Sequence, residues 1–263
     1  MPGRPLLFRV VERKTDLPNV DNGAYESGFT RLSRAMPQDT HQAEKEYIIR
    51  HVTLSEGNSG RSPFLSTSAS FLWCMWEAGR RAQKQKKRGV SILILDASPL
   101  EHDGLLRRLV DAPYREWFLG TKFYTWIDNS REVLVKNSIP RSSVIGRIQY
   151  ADIQKNPLPF YPLDHRFEYW NAPHAGKASY GSFSLREGDV LVRFRSNTHA
   201  TNFDSVIQFV RALNSSGAFP QDVAFSIAEN LVFACANGIL GAQPYQAMFD
   251  ELRGSILSLE FGV

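Results

Sequence analysis

The stretch Ser62–Arg81, "SPFLSTSASFLWCMWEAGRR", decides the fold because its period changes midway. "SPFLSTS" reads as a short strand: Pro63 is tolerated only at a strand's start, and the run closes on three small hydroxyl residues, Ser66, Thr67 and Ser68. From there the apolar residues Phe71, Leu72, Met75, Trp76 and Ala78 follow three-to-four spacing, which predicts a helix with its stop at Gly89. A strand ending on hydroxyls before a tryptophan-rich helix has two readings. The hydroxyls satisfy backbone groups and cap the helix, or they line a pocket.

Working outward, "PLLFRVVE" near the N-terminus is a first strand, and residues 13–46 are polar connections, broken by Pro18, Gly23, Gly28 and Pro37, with one short helix. "EYIIRHVTL" fits a helix or a strand. After the long helix come a buried strand, "VSILILDAS", a helical piece, "LEHDGLLRRLVD", and an aromatic loop, "YREWFLGTKFYTW". "EVLV" and "SSVIGRIQY" are two more strands joined by "KNSIPR". Residues 154–182, rich in Pro, Gly and aromatics, read as a linker or meander. Beyond it, "DVLVRFR" precedes three helices, "NFDSVIQFVRAL", "PQDVAFSIAENLVFACANG" and "QPYQAMFDELRGSILSL". The expected organisation is an α+β domain over residues 1–153 and a mainly helical C-terminal domain over residues 183–263, whose helices are the expected surface for a partner.

Composition narrows the function classes. With 43% hydrophobic and 22% charged residues, the 263-residue chain has the make-up of a soluble protein with a real core. The net charge of +4 is too mild to argue for nucleic acid, and the basic run Arg80 to Arg88 reads as a solvated helix end. Cys74 and Cys235 sit in apolar helical runs as buried thiols, which fits a reducing compartment. The six histidines are scattered, none at ligand spacing with Cys or a carboxylate, so no metal is expected. No phosphate-cradling glycine loop and no G-x-S-x-G elbow occurs. The first residues hold no apolar stretch long enough for a signal peptide, and no run approaches a membrane span, so a cytoplasmic or intracellular setting without membrane contact is expected.

One constellation carries chemistry. Arg9 lies in the first strand, Ser66-Thr67-Ser68 closes the second, and Glu132 opens a later strand after the aromatic loop. In this order and spacing the chain resembles the ADP-ribosyltransferase superfamily, in its arginine–serine–glutamate branch of bacterial toxins and vertebrate ecto-enzymes. It also resembles ADP-ribosyltransferase-like domains of filamentous fungi, which pair an "LFRV" strand with "SPFxSTS". The resemblance covers residues 5–150 and implies a split, mainly antiparallel sheet and NAD as substrate. It implies that Arg9 holds the NAD phosphates and nicotinamide ribose, with Ser66, Thr67 and Ser68 lining the nucleotide side. Ser66 would position Glu132, Thr67 would be structural, and Ser68 could cap the following helix. Glu132 would bind the ribose 2′-hydroxyl and stabilise the oxocarbenium-like state as nicotinamide leaves.

Two residues stand on the acceptor side of this scheme, Trp126 from the aromatic loop and Ser130. The family often has Glu or Gln two residues before the catalytic Glu, where this chain has Ser130. The implied activity is mono-ADP-ribosyl transfer to a macromolecular acceptor, a protein in preference to nucleic acid. The alternatives are NAD hydrolysis, with water as acceptor, and a catalytically silent scaffold of the same fold.

Overall fold

The computed structural model describes residues 4–12, 18, 23–27, 41–53, 62–156, 158, 199–215, 217 and 219–236. Their strands are β1 (Leu6–Val11), β2 (Tyr25–Glu26), β3 (Phe64–Ser68), β4 (Ser91–Asp96), β5 (Leu106–Arg108), β6 (Glu132–Lys136), β7 (Ser138–Ile139) and β8 (Val144–Gln149). The helices are α1 (His41–Thr53), α2 (Phe71–Gly79), α3 (Ala97–His102), α4 (Lys122–Ser130), α5 (Tyr150–Lys155), α6 (His199–Leu213) and α7 (Gln221–Ala236). This is an α+β fold. A six-stranded antiparallel sheet in the order β5-β6-β3-β1-β4-β8 is flanked by helices, with β2 and β7 forming a small second sheet.

The large sheet is two halves with a thin join. β1 pairs with β4 along its whole length, Leu6↔Asp96 to Val11↔Ser91, and β3 pairs with β6 from Phe64↔Lys136 to Ser68↔Glu132. β1 and β3 meet only at Phe8↔Ser68. The sheet is therefore split between its third and fourth strands, where Arg9 and the hydroxyl residues lie.

Both faces of the sheet are covered, which is why β4 reads as an unbroken apolar run. Phe8, Val10, Ile92, Ile94 and Ile148 face a core built with Phe71, Met75 and Trp76 of α2 and with Val206, Phe209, Ile227 and Leu231 of α6 and α7. On the same side, Phe64 and Leu134 pack with Ile48 of α1 and Ile127 of α4. Leu7, Val11, Leu65, Leu93, Leu95, Val133 and Val135 face the opposite way, against Leu100 of α3 and the small sheet's Tyr25 and Ile139. The two C-terminal helices thus place their apolar stripes in one core with β1 and α2. "DVLVRFR", the third C-terminal helix with its apolar Phe249 and Leu252, and nearly all of residues 154–182 lie outside the described residues.

Several local expectations are corrected. Of "EYIIRHVTL", which fits either period, residues 46–53 form the end of α1, with Ile48 filling the core between half-buried Tyr47 and Ile49. "LEHDGLLRRLVD" is not one helix: α3 ends before Gly104, whose φ of +66° turns the chain, and Leu106–Arg108 becomes the edge strand of the sheet. The aromatic loop is largely helical, a 3₁₀ turn at Tyr114–Trp117 followed by α4. The long helix stops short of Gly89, closing through a π-helical turn, Arg80–Lys84, before Lys86 takes a φ of +55°.

Much of the basic helix end is satisfied internally. Glu77, buried on α2, accepts from Arg80 Nε at 2.6 Å, Arg80 Nη2 at 2.8 Å and Arg81 Nε at 2.7 Å. Arg81 and Lys87 also pair with Glu12, at 3.5 and 3.3 Å.

Candidate active site

The three strand hydroxyls do three different things. Thr67 Oγ1 donates to the Val133 carbonyl at 2.6 Å, tying β3 to β6. Ser68 Oγ donates to the Ser130 carbonyl and accepts from Ser70 N at 2.9 Å, so it fastens the strand end to the chain that leads into Glu132. Ser68 does not cap α2. Ser70 does, its hydroxyl accepting from Trp73 N at 3.1 Å, because Ser68 is still paired in the ladder opposite Glu132. Both Thr67 and Ser68 are buried and bonded to backbone, which leaves Ser66 as the half-buried hydroxyl, facing His51 of α1.

Ser66 lies between the other two predicted residues. Its carbonyl accepts from Arg9 Nη1 at 2.7 Å. Arg9 alternates with Phe8 and Val10, so its Cβ leaves β1 on the face opposite Ser66 and Glu132. Its guanidinium reaches the Ser66 carbonyl because the β1–β3 ladder has already stopped at Phe8↔Ser68. The Ser66 side chain shares a face with Ser68 and Glu132, and its polarity favours the charged Glu132 carboxylate.

Glu132 is 6% exposed. Its Oε2 accepts from Trp126 Nε1 at 3.0 Å and lies 3.4 Å from the Ser130 hydroxyl. Burial pushes the Glu132 carboxyl above its ordinary value. The hydrogen bonds from Ser66, Trp126 and Ser130 oppose that rise, and the negative charge of Glu77 adds to it. Trp126, expected in a loop toward the acceptor, sits on α4, edge-on to Trp73 with ring centroids 4.5 Å apart. Ser130 is 2% exposed, and its hydroxyl bonds back to the Trp126 carbonyl at 2.7 Å. The position expected to meet an acceptor is turned inward.

Backbone geometry presents Glu132. Arg131 closes α4 in the left-handed conformation, φ +47° and ψ +50°, and its carbonyl accepts from Ala69 N at 3.1 Å. The turn swings the chain out of the helix and puts Glu132 at the first ladder position. A β-branched residue fits this conformation worst, so Arg131→Val should destabilise the fold by about 1–2 kcal/mol in denaturant melts, with Arg131→Gly close to neutral.

Sequence reasoning missed His51. It projects from the last turn of α1, with Nδ1 2.6 Å from Ser62 Oγ and Nε2 2.8 Å from Ser66 Oγ. Burial, reinforced by the Arg9 cation, pulls the imidazole from 6.5 down to about 4, so it is neutral at pH 7. Phe64 N donates to Ser62 Oγ at 3.1 Å, so Ser62 joins the β3 backbone to the imidazole, and the ring bridges Ser62 and Ser66. A lone histidine in a run that fits either period gives no sequence signal; only the fold brings α1 beside β3.

A histidine held neutral below its unfolded-state value makes stability depend on acid. The folded chain binds fewer protons than the unfolded one between pH 6.5 and about 4. Stability from this group is present above pH 6.5 and falls as the pH drops through that window. Denaturant melts at half-unit pH steps should show the decline, and His51→Asn should flatten it.

Comparison with known proteins adds the following. The solved structure of EcPltA is 12% identical, with a TM-score of 0.39 over 57% of this chain and 77% of that chain. No curated protein matches. Residues 2–153, more than half of the chain, match the family described as "Domain of unknown function (DUF7587)", and they include Arg9, His51, Ser66 and Glu132. The protein therefore belongs to the DUF7587 family.

Proposed function

We propose that the protein cleaves NAD and transfers the ADP-ribosyl group to a macromolecular acceptor. The observation that carries the reading is the convergence on β3: the Ser66 carbonyl accepts from Arg9, and the buried Glu132 carboxylate lies on the same face of the sheet as the Ser66 hydroxyl. Arg9 offers a fixed cation for the NAD phosphates, and Glu132 a carboxylate aimed at the ribose. The bond between ribose C1′ and the nicotinamide nitrogen breaks, and its electron pair leaves with nicotinamide. A nucleophile of the acceptor then bonds to C1′ and releases its proton. A preorganised carboxylate in a dry site stabilises the positive charge that builds on the ribose between these events. Glu132 must be ionised to do so, and its raised carboxyl value means that activity falls on the acid side earlier than for a solvated Glu.

Water as the acceptor is the second reading, supported by Ser130. The residue two before Glu132 is buried and presents no group to a protein side chain. Incubating the protein with NAD labelled in its adenylate part, with and without cell lysate, separates the outcomes. A labelled macromolecule supports transfer, free ADP-ribose supports hydrolysis, and intact NAD in both arms means that the domain is a silent member of its fold.

A further inference from the structure

The turn that follows the hydroxyl strand is held from both sides. On one side it is tied to the chain entering Glu132: Ala69 N donates to the Arg131 carbonyl at 3.1 Å, and Ser68 Oγ donates to the Ser130 carbonyl. On the other it is gripped by one side chain of α7. Asn230 Nδ2 donates to the Ala69 carbonyl at 2.7 Å, and Asn230 Oδ1 accepts from Phe71 N at 2.7 Å. Phe71 is the first residue of α2, so its N–H has no partner within the helix, and Asn230 satisfies it from 159 residues away in sequence. The Ala69 peptides are thereby clamped between the C-terminal helix and the segment that presents the carboxylate.

Nothing in the packing of α7 requires an amide there. Val223, Ile227, Ala228, Leu231 and Val232 already bury its apolar face against α2 and β1. A side-chain amide has one donor and one acceptor edge, which match the carbonyl and N–H offered by the turn. Leucine has the same branched heavy-atom skeleton but no polar edge, and would leave both backbone groups without this partner.

We propose that Asn230 is a positioning residue for Glu132, and that α7, outside the matched family region 2–153, completes the site. Through Ala69 it fixes Arg131, and through Ser68 it fixes Ser130. These are the two residues that set where the Glu132 carboxylate lies. The inference rests on the proposed NAD chemistry for its kinetic readout but not for its structural one.

Two variants of the full chain separate positioning from helix capping. Asn230→Ala removes both bonds. Asn230→Asp keeps an acceptor for Phe71 N, at a helix N-terminus that favours a carboxylate, and removes the donor to Ala69. Both should lower kcat for NAD cleavage by about tenfold to a hundredfold, the scale of a small misplacement of a catalytic group, with KM little changed. Asn230→Asp should do this without lowering the thermal midpoint. The second readout needs no activity: the Trp126 indole N–H, which donates to Glu132, followed by NMR across pH. Its titration midpoint reports the carboxylate among its ionisable neighbours Glu77 and Cys74 of α2, its polar neighbours Ser66 and Ser130, and His51 of α1 beyond Ser66. Both variants should shift that midpoint. An unchanged midpoint in both folded variants overturns the proposal, whatever the wild type does with NAD. Wild-type protein that leaves NAD intact while the midpoint shifts refutes the enzyme reading and keeps Asn230 as the positioner of Glu132.

Discussion

Glu132→Gln should lower NAD turnover by about 10² to 10³ in kcat while leaving NAD affinity nearly unchanged. The amide keeps the size of the side chain and an oxygen for Trp126 Nε1, now 3.0 Å from the carboxylate. What it removes is the negative charge opposite the ribose. Loss of fold cannot mimic this result, because the substitution should not weaken the protein at neutral pH. A carboxyl raised by burial gives the folded state an advantage below the unfolded-state value, and that advantage is lost as pH rises through the folded value. Once ionised in its buried site the group is a cost of folding, which the neutral amide does not carry. Turnover and NAD titration, with denaturant melts at pH 5 and pH 7, check all of this. Full activity in a folded Glu132→Gln protein would show that the carboxylate does not perform the chemistry proposed for it.

The largest effect on stability should come from Glu77→Ala. Burial alone would raise the Glu77 carboxyl, but the hydrogen bonds and charges of Arg80 and Arg81 outweigh it and hold the group low. Removing it leaves two guanidiniums without their shared anion, one of them Arg80, whose side chain is 10% exposed. Breaking a buried pair from one side costs about 3–5 kcal/mol. For a chain of this size that lowers the thermal midpoint by roughly 6–20 °C. The pH signature runs opposite to that of Glu132. A carboxyl depressed by its partners stabilises the fold above its unfolded value and loses that contribution as pH falls through the folded one. Thermal melts from pH 7 down to pH 3 should show the gap between wild type and Glu77→Ala closing. A constant gap would assign the loss to packing.

What the sequence makes legible follows from where periodicity is strong. β3 and α2 are readable because the change of period falls inside one quoted stretch, and β4 because burial on both faces leaves no polar position in "ILIL". β5 hides inside a charged run, since its ladder with β6 depends on a turn at Gly104 rather than on its own pattern. Within the site, Arg9, Ser66 and Glu132 stand out by order along the chain. His51 and Asn230 do not, because each acts through a hydrogen bond to a segment remote in sequence. The choice between Ser68 and Ser70 as cap was likewise invisible: "STSAS" offers four hydroxyls, and only the ladder partner of Ser68 decides it.

The single pairing Phe8↔Ser68 gives the protein a line of mechanical weakness that passes through its candidate site. Each three-stranded half carries its own internal ladders, so along the seam the backbones of the halves pair at this point alone. Across the seam, the Arg9 guanidinium on the Ser66 carbonyl is a latch made by a side chain. If Arg9 anchors a nucleotide phosphate as proposed, the guanidinium that latches the two halves is also the group that would hold the ligand.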